Sequence, residues 1–136
     1  MTEEGLAVFN QEKTESMETE KKYWPASSVI GIHKAMQGGF TDVVQEVLKF
    51  GFDTERALRV ALKAKRGLKD TSKPGAFTKD FIYFKGHRMI LEFLEAGGNL
   101  KDLYFGKLNL KDLDLVKKIK GIKAPLYLPS HLKSTF

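Results

Sequence analysis

Glycine cuts this chain into helical pieces that cannot stand alone. Runs with apolar residues at helical spacing stop at Gly38-Gly39, at Gly51, at Gly67 and at Gly97-Gly98. Glycine is a common residue just past a helix end. Helices this short draw most of their stability from burying one face against a neighbour. Helix against helix is therefore the architecture the pattern allows. One longer interruption breaks the series between Gly67 and Thr78. Gly67, Asp70, Thr71, Ser72, Pro74 and Gly75 are residue types that build tight turns. The spacing predicts a mainly α fold of about six helices with a Gly/Pro-rich basic loop between the fourth and fifth.

The first helix runs from Thr2 to about Thr19. Thr2 can cap it, and Glu3 and Glu4 sit where the helix dipole favours anions. Leu6, Phe9 and Met17 supply part of one face, while 12–22 is polar. A second helix opens with Pro25 in its first turn and ends near Gln37, with Val29, Ile30, His33 and Met36 on one stripe. A third opens at Phe40 or Thr41 and turns Val43, Val44, Val47 and Leu48 inward. Asp53 caps a fourth, in which Ala57, Leu58, Ala61 and Leu62 recur at i, i+1, i+4 and i+5. Its end carries Lys63, Lys65 and Arg66, where cations are favoured. Thr78 can cap a fifth helix to about Ala96, with Tyr83, His87, Ile90, Leu91 and Leu94 on one face. Phe81 to Phe84 is equally compatible with a short strand. Residues 100–107 read as a turn or strand, and Asn109 caps a sixth helix with Leu110, Leu113, Val116 and Ile119 inward. The tail from Lys123, with Pro125 and Pro129, reads as extended. The chain is expected to be a single domain over 1–136: a first helix over 1–22, a helical core over 25–66, the loop over 67–78, further helices over 79–122 and the tail over 123–136.

Charge marks the loop out. Between Lys63 and Arg88 stand eight Lys or Arg residues against Asp70 and Asp80, which accounts for the whole formal charge of +6. Phe77, Phe81, Tyr83 and Phe84 lie beside these cations. Such a segment is a candidate surface for an anion. The sequence has no cysteine, which excludes disulfides and thiolate metal sites and makes a reducing compartment the default. No apolar run approaches the ~20 residues that cross a bilayer, so no membrane partner is expected. The acidic start is unlike a signal peptide, and a cytoplasmic location is expected. A helix that opens so close to the first residue, with two acids in its first turn, looks cut from something larger.

Two stretches carry a resemblance. Thr2-Glu3-Glu4-Gly5-Leu6-Ala7 resembles the T-x-E-G-L-A signature of the flavohaemoglobin-expression-modulating QEGLA-motif family. Arg66 to Gly86 resembles that family's second signature, R-G-x-x-D-T-S-x-P-G-x-F-x-K-D-x-x-Y-x-x-G. Their order and separation fit as well. The family includes tyrosine carboxypeptidases that act on microtubules, zinc peptidases that remove the C-terminal tyrosine of α-tubulin. The resemblance implies the C-terminal part of a zincin-like α+β metallopeptidase. It also implies that Glu4 is a zinc ligand, the other ligands being two histidines of an H-E-x-x-x-H helix. This chain has His33, His87 and His131, and none forms that motif. Catalytic zinc usually takes three protein ligands and an open position. Zinc is therefore expected only together with a histidine-bearing N-terminal half, and the chain by itself is not expected to be active.

A carboxypeptidase must neutralise its substrate's terminal carboxylate, which Arg does with two parallel hydrogen bonds. It must also stabilise an oxyanion. Arg66 and Lys79 are the candidates for the carboxylate, and Tyr83 for substrate contact or the oxyanion. Gly67, Asp70, Thr71, Pro74, Gly75 and Asp80 are assigned to shaping the loop. Each also has a plainer reading: a first-turn acid for Glu4 and Glu3, a helix-end cation for Arg66, a solvated lysine near a cap for Lys79, a core aromatic for Tyr83, and helix-face residues for His33 and His87. The expected partner is the C-terminus of a peptide or protein. A second class of function is a small basic helical module for nucleic acid or an acidic protein tail, with aromatics among the cations for stacking. Against nucleic acid, the charge sits in one shaped loop and not along an exposed helix. A third is an inert remnant that folds poorly.

Overall fold

A computed structural model of the chain describes residues 1–14 and 24–133. The described residues are mainly helical and contain no strand. The helices are α1 (Thr2–Thr14), α2 (Trp24–Ala35), α3 (Phe40–Lys49), α4 (Thr54–Ala64), α5 (Lys79–Glu95), α6 (Leu113–Lys118) and α7 (Ser130–Lys133). Short 3-10 turns cover Leu100–Tyr104 and Leu110–Asp112. Phe81 to Phe84 lie within α5, so the strand alternative is lost. Met17 and the expected extension of the first helix to Thr19 lie outside the described residues. The chain divides into two compact units, Met17–Phe84 and the two segments Met1–Ser16 with Lys85–Phe136.

The central unit is built on α2, α3 and α4, which pack against one another. Asp53 begins α4 by accepting the amide of Arg56 at 2.7 Å, and Asp42 accepts the amide of Gly39 at the head of α3 at 2.7 Å. Ile32, Ala35, Val43, Val47, Ala57, Val60, Ala61 and Ala64 are buried. Most of these side chains are small, so the backbones come close. A Cβ on Gly31 would lie 2.1 Å from Cγ1 of Val60. This closeness moves the inward faces away from the expected stripes. In α2, Ser27, Ser28, Gly31 and Ile32 are buried, while His33 and, just past the helix end, Met36 are exposed. In α4 the alanines and Val60 take the seam, and Leu58 and Leu62 face out. In α3 Leu48 is exposed, although Val43 and Val47 are fully buried.

The other unit gathers Phe9, Ile90, Leu100, Leu103 and Leu113, with Leu6, Leu91, Leu94 and Leu132 packed around them. Within it, α1 and the part of α5 from Lys85 onward cross at a pair of glycines. A Cβ on Gly5 would sit 2.1 Å from the carbonyl carbon of Gly86, and one on Gly86 would sit 2.3 Å from the carbonyl oxygen of Met1. Farther along the same contact His87 pairs with Glu12 at 2.9 Å. The Tyr104 hydroxyl donates to Asn10 Oδ1 at 2.9 Å. Asn99 and Asn109 cap the two 3-10 turns by accepting the amides of Lys101 and Lys111. Ile119, expected inward, is exposed because α6 ends at Lys118. Among the described residues the tail is not extended throughout, since it includes the single turn α7.

Candidate functional site

The basic loop is tied to the helix that precedes it. The amide of Phe77 donates to the carbonyl of Ala64 at 2.7 Å, which brings the loop's exit back against the end of α4. Three further contacts close the same seam. The Arg66 guanidinium stacks over the Phe77 ring, 4.2 Å from its centre. Lys63 Nζ pairs with Asp80 at 3.8 Å. Lys65 Nζ donates to the carbonyl of Gly75 at 3.0 Å. Lys63, Arg66, Phe77 and Asp80, which the sequence separates by a long loop, are thus neighbours. Ser28, Ile32, Val60, Lys63, Ala64, Phe77 and Asp80 line a crevice too narrow for water.

The loop is also tied to the front of the central unit. The amide of Phe40 donates to the carbonyl of Thr71 at 2.8 Å, and the amide of Gly75 to that of Ala35 at 2.8 Å. Inside the loop Asp70 accepts the Ser72 amide at 3.0 Å and the Ser72 hydroxyl at 2.6 Å, and pairs with Lys73 at 3.4 Å. These bonds from Ser72 are the main reason the Asp70 carboxyl sits below its ordinary 3.8. Gly67 (φ +79°) and Gly75 (φ +140°) hold left-handed conformations that a Cβ would strain. Pro74 is exposed. Lys79 opens α5 and is exposed, and Tyr83, one turn on, is half-buried.

Lys65 is the residue the sequence reading missed. It looked like one more cation at a helix end. Its side chain instead turns inward and is only 2% exposed. The nearest sequence signal lies in the glycines at 38 and 75, two of the four residues whose carbonyls meet its ammonium, with no side chains in the way. Burial pushes its pKa down from 10.5, and the negative charge of Asp42 opposes that fall.

Glu4 belongs to the other unit. It stands in the first turn of α1, one residue before the glycine crossing, and its side chain is 36% exposed. Its carboxylate lies 2.6 Å from the amino group of Met1. That hydrogen bond, and then one at its own backbone, hold its pKa below the ordinary 4.5. Met1, Thr2, Glu3, Glu4, Lys107, Leu108 and Asn109 line a shallow cavity of about 100 Å³. Lys107 pairs with Glu3 at 2.9 Å, and Thr2 Oγ1 accepts the amide of Leu110 at 3.3 Å. Among the described residues no group of three or more His, Cys, Asp or Glu could hold a metal ion. His87 is engaged by Glu12, and His33 by Gln37 at 3.1 Å. A catalytic zinc usually takes three protein ligands, and the described residues around Glu4 by themselves do not fit one. No helix among the described residues is long and apolar enough to cross a membrane.

A helical chain with a shaped cationic loop and two carboxylates in the first turn of its first helix has known counterparts. Residues 1–135 match the family described as microtubule-associated tyrosine carboxypeptidase. The putative tyrosine carboxypeptidase MATCAP2 of Mus musculus is 30% identical over 134 residues, covering 96% of this chain and 25% of that protein. Microtubule-associated tyrosine carboxypeptidase 1 of Homo sapiens is 30% identical over 114 residues, covering 83% of this chain and 24% of that protein. The Rattus norvegicus protein of the same name is 31% identical over 133 residues, covering 97% and 28%. No solved structure matches the chain. The chain belongs to the microtubule-associated tyrosine carboxypeptidase family. It spans about a quarter of the length of these curated relatives.

Proposed function

We propose that this chain is the carboxylate-receiving part of a peptidase that removes a C-terminal residue, tyrosine by the names of its relatives, from a peptide or protein. The observation that carries the reading is Arg66, exposed at the loop's edge with its guanidinium stacked on Phe77 at 4.2 Å. Stacking fixes the plane of the fork while leaving its N–H edge free to meet a carboxylate with two parallel bonds. Holding the substrate by its terminal carboxylate restricts cleavage to the last peptide bond. Lys79 adds positive charge near the same loop exit, and Tyr83 offers a hydroxyl donor for the developing oxyanion. Asp70, Thr71 and Gly75 keep the loop in the shape that presents Arg66. Glu4 supplies one ligand of a zinc ion whose other ligands lie in sequence outside this chain. Bound zinc would polarise the scissile carbonyl and activate water.

The test combines this chain with the histidine-bearing segment of the family and follows release of C-terminal tyrosine. The substrates are a peptide with a free terminal carboxylate and the same peptide amidated. Arg66→Ala is expected to raise KM for the free acid by roughly 10- to 100-fold, the effect of losing a bidentate charged contact. Activity on the amide should barely change, because that contact is already missing there. Equal losses on both substrates would remove Arg66 from the carboxylate site. No tyrosine release and no gain in bound zinc over the separate parts would remove the peptidase reading.

A further inference from the structure

Lys65 Nζ has four backbone carbonyl oxygens around it: Ala35 at 3.0 Å, Gly38 at 2.5 Å, Lys73 at 2.7 Å and Gly75 at 3.0 Å. An ammonium has three protons. Four close oxygens exceed what three directed hydrogen bonds can use, so the cluster answers a charge more than a set of donors. The oxygens come from the last residue of α2, the turn after it and two points of the loop. None is a carboxylate. Divalent ions such as calcium are usually held in part by carboxylates, whereas rings of neutral carbonyls replace the water shell of a potassium ion. The countercharge is Asp42, which acts on Lys65 through space while its Oδ2 accepts from the Gly39 amide. Ala35 O already accepts the Gly75 amide as well, so the cage is part of the loop's own hydrogen bonding.

We propose that the carbonyls of Ala35, Gly38, Lys73 and Gly75 form a monovalent-cation site, filled from within by the Lys65 ammonium. A free ammonium or potassium ion takes the place when that side chain is cut back. The site ties three backbone segments to one charge and so sets the resting shape of the loop. It exists whether or not Arg66 meets a substrate.

The experiment uses the whole chain. Lys65→Ala opens the cage, and Lys65→Met fills it with an uncharged stem of similar length. Thermal melts are recorded in ammonium, potassium and tetramethylammonium chloride at equal ionic strength, each referred to the unsubstituted chain in the same salt. Both variants should melt at least about 5 °C lower than the unsubstituted chain. Ammonium and potassium should restore Lys65→Ala saturably, while tetramethylammonium, too large for the cage, should not. Lys65→Met should gain nothing specific from any of them. An identical salt response in the two variants, or a melt within a degree of the unsubstituted chain, overturns the proposal. Should the variants fail to fold, the unsubstituted chain carries the test. With lysine labelled in nitrogen-15, one ammonium signal should survive at neutral pH with slow proton exchange and couplings to the carbonyl carbons of Ala35, Gly38, Lys73 and Gly75. Absence of that signal overturns the proposal equally.

Discussion

The two units meet the same demand, close approach of helices, in opposite ways. The central unit spreads it over many small side chains, with Ala35, Ala57 and Ala61 fully buried along one seam. The other unit concentrates it at one point, where Gly5 and Gly86 touch backbone to backbone and larger residues such as Phe9 and Ile90 fill the space around them. A distributed seam can yield a little at each position. A single crossing cannot, because what stands in the way of an added methyl is main chain. The difference teaches where a small change is tolerated and where it is not.

The sharpest way to break that contrast is Gly86→Ala. Its new Cβ would meet the Met1 carbonyl oxygen at 2.3 Å. Neither helix has a side chain that can rotate away. A loss of about 3 kcal/mol or more in urea unfolding is expected, at the upper end for overpacking. Amide exchange should show protection falling in α1 while α3 and α4 keep theirs. Uniform loss across both units would mean that the crossing is not local in its effect.

Gly31→Ala is the matched change in the central unit. Here the obstacle is Cγ1 of Val60 at 2.1 Å, a side chain and not main chain. A cost of about 1–2 kcal/mol is expected. Val60→Ala should rescue it in part, giving a double-mutant coupling of at least about 0.5 kcal/mol. Additive losses would show that the seam cannot yield after all. A smaller effect still is expected at Asp53→Ala, which removes the acceptor for the Arg56 amide. It should cost about 1 kcal/mol, the usual worth of a helix N-cap, read from the same urea curves.

How much of this was legible follows from what local chemistry decides. The glycine stops and the Asp53 cap are settled within a few residues, and the helices begin and end close to where those signals put them. The inward faces were harder. Leu58 and Leu62 are more apolar than Ala57 and Ala61, yet the alanines hold the seam because the partner backbones come too near for leucine. That is a fact about spacing between helices, which one helix cannot express. Gly5 and Gly86 lie in the two signatures that carry the family resemblance, but their mutual contact appears only when α1 meets α5. Lys65 was the least visible of all. Its charge suggested solvent, and only the fold brings four carbonyls around it.

The smallest expected effect concerns the loop alone. Asp70 is exposed, and its carboxyl is held below 3.8 chiefly by the hydroxyl and amide of Ser72. A carboxyl whose folded pKa is depressed adds stability above its unfolded pKa and loses it as pH falls through the folded one. The loss should therefore fall below pH 3.8, on the acid side of the ordinary carboxylate range. The Ser72 amide resonance should shift and its exchange quicken there. Asp70→Asn keeps an acceptor oxygen but cannot ionise, so its Ser72 amide should stay level through the same range. If the variant titrates as the unsubstituted chain does, another acid governs the loop, and Asp80 on its Lys63 contact is the next to substitute.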